Sequence, residues 1–122
     1  MQIKRIEADL SVCKLKSLGA VNWESQYCFV GKTDEELSLV CETERAPADC
    51  IAREDGWKAF RLVGPLDFSL IGILSSITTL LAEQGIGIFA LSTYDTDYVL
   101  IREENFDRAL MLLGEKGYTI LK

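Results

Sequence analysis

Residues 69–102 read SLIGILSSITTLLAEQGIGIFALSTYDTDYVLIR, and the fold depends on how this stretch divides. Leu70, Ile73, Leu74, Ile77 and Leu81 recur at helical spacing and make one apolar stripe, which predicts a helix from Ser69 to Gly85. Asp67 or Ser69 can cap its start, and Gly85 can end it in a left-handed conformation. Beyond Gly85 the pattern changes. Ile86–Ser92 and Thr96–Arg102 read as strands, and the short polar link between them predicts an antiparallel hairpin.

Working outward, Lys58–Gly64 reads as a strand, with Gly64-Pro65 marking the turn into the helix. A second helix is expected over Glu104–Glu115, with Phe106, Ala109, Leu110 and Leu113 on one face. Gly117 stops it, and Tyr118–Leu121 can form a last strand. The order β-α-β-β-α-β predicts an α+β, ferredoxin-like unit: a four-stranded antiparallel sheet with both helices on one face.

The first half repeats part of this pattern at an offset of 61 residues. Glu54, Gly56, Trp57 and Phe60 fall opposite Glu115, Gly117, Tyr118 and Leu121, and Leu39-Val40 opposite Leu100-Ile101. YCFVG (27–31) and ELSLVCE (36–42) then form a second hairpin, Leu10–Leu15 a first strand, and Ala48–Asp55 a short helix. Lys16–Gln26 is too short for a long crossover helix, so a short helical turn or loop is expected there. The expected organisation is tandem: a degenerate subdomain over residues 1–60 and a second over 61–122, with the strand at 58–63 shared or exchanged between them.

Composition narrows the function. With 48% hydrophobic and 26% charged residues the chain can build a core, and its net charge of −6 argues against binding along a phosphate backbone. Trp23 and Trp57 lack the basic neighbourhood of a nucleic-acid stacking platform and read as core or interface anchors. The N-terminus, MQIKRIEADL, lacks an apolar signal core, and the run from Phe68 to Leu81 is too short and too polar to span a bilayer, so no membrane role is expected. The chain has no histidine, which removes the commonest general base, and no nucleophile–base pair or phosphate loop stands out. Cys13, Cys28, Cys41 and Cys50 form no CxxC pair, so neither a zinc site nor a disulfide has support in the sequence. They read as buried thiols acting as small apolar side chains in a reducing cytoplasm.

The polar knot Ser92, Thr93, Tyr94, Asp95, Thr96 and Asp97 admits three readings: a plain turn, an acidic metal site, or part of a pocket for a polar ligand. The oxygen spacing is not that of a calcium loop, and no metal or cofactor is expected. Asp95 and Thr96 can fix a turn through backbone bonds, whereas Asp97, at a strand start, leans towards ligand contact. The acidic run Asp34-Glu35-Glu36 reads as a solvated turn.

The stretch LDFSLIGILSSITTLLAEQGIGIFALSTYDTDYVLIRE (66–103) resembles an ACT domain, of the subgroup with a STYDTDY-type hairpin found in small bacterial tandem-ACT proteins and similar to the modules of cytosolic arginine sensors. ELSLVCE followed by GWKAFRLVGPLDFSLIGIL matches the subgroup's linear order, and the tandem arrangement is similar to the regulatory portion of aspartate kinases. The resemblance implies a regulatory module that binds an amino acid or similar small metabolite at an interface between ACT units. It places the ligand against the loop from first strand to first helix, here Leu66, Asp67, Phe68, Ser69, Leu70, Ile71 and Gly72. Gly72 holds the family's glycine position. Ser69 stands where many members carry an aspartate, and its hydroxyl cannot pair with an α-ammonium by full charge.

An amino acid needs N–H donors for its carboxylate and oxygens for its ammonium. The helix start offers the first, with Gly72 permitting close approach. Ser92, Thr93, Asp95, Thr96 and Asp97 offer the second. Sheltered charge-assisted bonds contribute roughly 1.5–3 kcal/mol each. The expectation is a non-enzymatic sensor in the cytoplasm, forming a homodimer. The competing expectation is a ligand-independent protein–protein interaction and dimerisation module built on open sheet edges.

Overall fold

The computed structural model describes residues 1–63 and 72–122. The strands are β1 (Gln2–Lys14), β2 (Cys28–Lys32), β3 (Leu37–Glu42), β4 (Ala52–Leu62), β5 (Phe89–Ser92), β6 (Asp97–Arg102) and β7 (Thr119–Leu121), and the helices are α1 (Ile73–Glu83) and α2 (Glu103–Glu115). The chain divides into two compact units: unit 1, Met1–Glu7 with Lys58–Lys122, and unit 2, Ala8–Trp57. The long strands β1 and β4 each give one end to each unit.

In unit 1 the strands run in the order β7-β1-β4-β6-β5. β5 and β6 form the expected antiparallel hairpin, from Phe89↔Leu100 to Ser92↔Asp97. Ile77 and Leu81 of α1 and Phe106, Ala109, Leu110 and Leu113 of α2 share one core with Phe60 and Leu62 of β4 and Val99 and Ile101 of β6. Those strand residues alternate along their strands, so both helices cover one face. This is the ferredoxin-like arrangement with one addition. The start of β1 lies between β4 and β7, and β7 pairs with it in parallel, Ile3↔Ile120. A four-stranded sheet was expected because nothing in MQIKRIEADL marks its partner; the buried Ile3 and Ile6 supply the apolar contacts that hold it there.

Both helices stop as the glycines require. Gly85 (φ 74°) and Gly117 (φ 99°) are left-handed. Gly85 N–H donates to Ala82 O at 3.0 Å and Ile86 N–H to Leu81 O at 2.9 Å. Gly117 N–H donates to Gly114 O and Tyr118 N–H to Leu113 O, both at 3.1 Å. These are the bonds of Schellman caps. The start of α1 differs from expectation: it begins at Ile73, with Gly72 as N-cap and no side-chain cap bond. Asp67 and Ser69, the expected caps, lie outside the described residues.

Unit 2 orders its strands β2-β3-β1-β4. Short 3-10 turns at Leu18–Ala20 and Thr43–Arg45 stand where unit 1 has helices. The helix expected over Ala48–Asp55 is absent; Ala52–Asp55 opens β4 instead. Side chains two apart share a face on a strand but not on a helix. On β4 the Arg53 Nε donates to Asp55 Oδ1 at 2.7 Å, and the buried Ser11 hydroxyl donates to the same oxygen at 2.5 Å. Arg53, then Ser11, hold the Asp55 carboxyl below the usual carboxylate range.

The two hairpins share one design. Lys32↔Leu37 and Ser92↔Asp97 close them, an offset of 60 residues (32 to 92, 37 to 97) where the sequence comparison suggested 61. Gly56 and Gly117, both left-handed, keep the offset of 61, so one extra residue enters between β6 and Gly117. Sequence matching without gaps averages over that insertion.

Candidate functional site

The hairpin turn of unit 1 is built by its threonines. Thr93 N–H donates to Thr96 O at 2.8 Å, Thr93 Oγ1 donates to the same oxygen at 3.0 Å, and Thr96 N–H donates back to Thr93 Oγ1 at 3.3 Å. Thr33 makes the same three contacts with Glu36 in unit 2, at 2.9, 3.3 and 3.1 Å. Thr93 is therefore a turn-former, a role that the sequence reading gave to Asp95 and Thr96.

The other polar groups divide. Ser92 Oγ donates to Asp97 Oδ1 at 2.5 Å, so this carboxylate is already engaged within its own strand pair. Thr96 Oγ1 donates to Leu62 O at 2.6 Å. That bond fastens the turn to the end of β4, which leads into the connection to α1. Asp95 is exposed and makes no hydrogen bond or ion pair among the described residues, and Tyr94 beside it is fully exposed at 101%.

Of the helix-start loop, Leu66, Asp67, Phe68, Ser69, Leu70 and Ile71 lie outside the described residues. Gly72 is exposed, with φ 88°. A Cβ built on it would meet nothing within 4 Å, so its left-handed backbone is the physical reason for glycine. Ser76 N–H, bonding to Gly72 O at 2.8 Å, is the first to close the helical ladder. Preceding N–H groups in the first turn lack intrahelical acceptors, and the helix dipole adds partial positive charge there.

An open groove of about 450 Å³ elsewhere on unit 1 is lined by Ser75, Ser76, Thr79, Leu80, Glu83, Lys116 and Tyr118. None of the sequence-predicted site residues lines it. Trp23, read as an anchor, is 66% exposed and is not part of the core. Among the described residues no group of three or more Cys, Asp or Glu side chains is arranged to hold a metal ion, and no helix is long and apolar enough to cross a membrane.

Comparison with known proteins identifies the family of this βαββαβ unit. The ACT domain family model matches residues 52–115. The chain belongs to the ACT domain family. Protein Atu0741 of Agobacterium tumefaciens is 31% identical to this ACT protein, covering 98% of this chain and 91% of its own, with a TM-score of 0.85. The regulatory subunit of aspartate kinase from Thermus thermophilus, in its ligand-free form, is 10% identical, covering 93% and 95%, with a TM-score of 0.64. The aspartate kinase of Clostridium acetobutylicum is 12% identical over 91% of this chain and 33% of its own, with a TM-score of 0.67. These last two likenesses are of fold. No curated protein sequence matches the chain. As an ACT domain the chain is a regulatory type of module.

Proposed function

We propose that this ACT protein is a non-enzymatic sensor of a small polar metabolite, an amino acid, bound where ACT units of a homodimer meet in the cytoplasm. The observation that carries the reading is the Thr96–Leu62 bond of 2.6 Å. It supports a site in which the hairpin turn and the β4–α1 connection act together, with Gly72 at the helix end of that connection. The helix start would receive the ligand carboxylate, and Asp95, which has no partner among the described residues, would receive the ammonium. Asp97 and Ser92 would position the turn as a bonded pair. We also read the chain as two ACT-like subdomains, roughly 1–60 and 61–122, a reading supported by the common hairpin register.

Thermal unfolding in the presence of each standard amino acid at millimolar concentration tests this. A ligand at ten times its Kd adds about 1.4 kcal/mol to the folded state. At about 4–8 °C per kcal/mol for a small domain, at least one amino acid is expected to raise the midpoint clearly. Asp95→Asn is expected to reduce that response by weakening binding roughly 10- to 100-fold. No shift with any of them would overturn the reading.

A further inference from the structure

The four cysteines, scattered in sequence, converge in unit 2. Cys28 faces Cys41 across β2 and β3, and Cys41 faces Ser11 across β3 and β1. Cys13, two residues from Ser11, shares that face. Three thiols thus lie on one side of three neighbouring strands, and Cys50 packs against the same cluster. At the offset of 60, Cys28 and Cys41 correspond to Ile88 and Ile101, which pack into the core that α1 and α2 cover in unit 1. Unit 2 has only 3-10 turns in their place, and Cys28 and Cys50 stay half-buried.

The ladder decides which thiols can join. Thr33 N–H donates to Glu36 O at 2.9 Å, which makes Thr33–Glu36 a hydrogen-bonded pair. Alternation then makes Gly31–Ser38 and Phe29–Val40 bonded pairs, and Val30–Leu39 and Cys28–Cys41 non-bonded ones. At non-bonded sites Cα atoms stand about 4.5 Å apart. That falls inside the range of about 4.4–6.8 Å that a disulfide spans.

We propose that Cys28 and Cys41, both free thiols here, are a redox dithiol that closes to a cross-strand disulfide under a two-electron oxidant of the peroxide class. The half-buried Cys28 meets the oxidant. Its thiolate attacks one peroxide oxygen, giving a sulfenic acid and hydroxide. The Cys41 sulfur then attacks the sulfenyl sulfur and expels the sulfenic oxygen as water. The protons of the two thiols leave with these oxygens, so two thiols and one hydrogen peroxide give one disulfide and two waters. Burial pushes the Cys41 thiol up to about 11 and raises Cys28 as well. Few thiolates exist at neutral pH, which slows the first attack. Cys13 lies beside Cys50, but Cys50 Sγ donates to Pro47 O at 2.9 Å and sits off the ladder. Cys13 and Cys50 are close enough to share a side-chain hydrogen bond, but only Cys28 and Cys41 face each other as partners in a strand ladder.

Hydrogen peroxide applied to the full chain, followed by thiol counting and non-reducing peptide mapping, tests the pairing. Free thiols are expected to fall from four to two, with a reductant-reversible link between the Cys28 and Cys41 peptides. Cys13→Ser and Cys50→Ser should keep that link, and Cys28→Ser and Cys41→Ser should abolish it while circular dichroism shows them folded. If a serine variant fails to fold, the wild-type map still decides. Four thiols remaining, a link through Cys13 or Cys50, or links only between chains would overturn the proposal.

Discussion

Replacing Phe60 with alanine is expected to lower the stability of unit 1 by about 3–5 kcal/mol. Phe60 is fully buried on β4, in the cluster that holds Ile77, Leu81, Val99 and Phe106. It thus joins the sheet to both helices. The truncation removes apolar surface and leaves a cavity, and strands paired on both edges have little freedom to collapse into it. Folded domains of this size are stable by only about 5–15 kcal/mol in total. Urea unfolding followed by far-UV circular dichroism should show the loss as a lower midpoint with an unchanged slope. A change under 1 kcal/mol would mean that Phe60 is not a core residue.

Leu81→Ala is expected to cost about 2–5 kcal/mol. Leu81 is fully buried and its carbonyl accepts from Ile86 N–H at 2.9 Å. Its side chain lies in the same core cluster as Ile86. Substituting the glycine of the same cap, Gly85, forces a side chain into the left-handed region, at about 1–2 kcal/mol. The core term therefore exceeds the backbone term, and the order Leu81→Ala worse than Gly85→Ala should appear in the same unfolding experiment. The reverse order would show that backbone strain, not burial, governs the end of α1.

The sequence made unit 1 legible because its signals agree with one another. Ile77 and Leu81 carry the helical period, Gly85 and Gly117 end the helices, and Val99, Leu100 and Ile101 are buried as a strand centre. In unit 2 the first crossover was legible by its length, and it holds the short 3-10 turn Leu18–Ala20; the second, Thr43–Arg45, is a 3-10 turn with no amphipathic period to detect. The segment ADCIARED has helical composition, yet long-range pairing drew it into β4, as the Ile51 N–H to Lys14 O bond of 2.8 Å shows at its start. Tertiary pairing outweighed local propensity there. The added strand in unit 1 was missed for a similar reason: β1 finds partners more than a hundred residues away, Ile3↔Ile120.

For the site, residue type was legible and role was not. STYDTDY announces a polar turn, but only geometry separates Thr93, which builds it, from Asp95, which has no partner among the described residues. The thiols show the same limit. Spacing gave no reason for Cys28 to meet Cys41; the hairpin register, set by Thr33 and Glu36, supplies it.

The most direct test of the sensor reading is amide chemical-shift mapping of the full chain, titrated with the amino acid that most raises its melting point. The account predicts saturable shifts concentrated on Gly72–Ser75 and Thr93–Asp97, and their loss in Asp95→Asn. Shifts centred instead on the groove of Thr79, Glu83 and Lys116, or no saturable shifts at all, would contradict it.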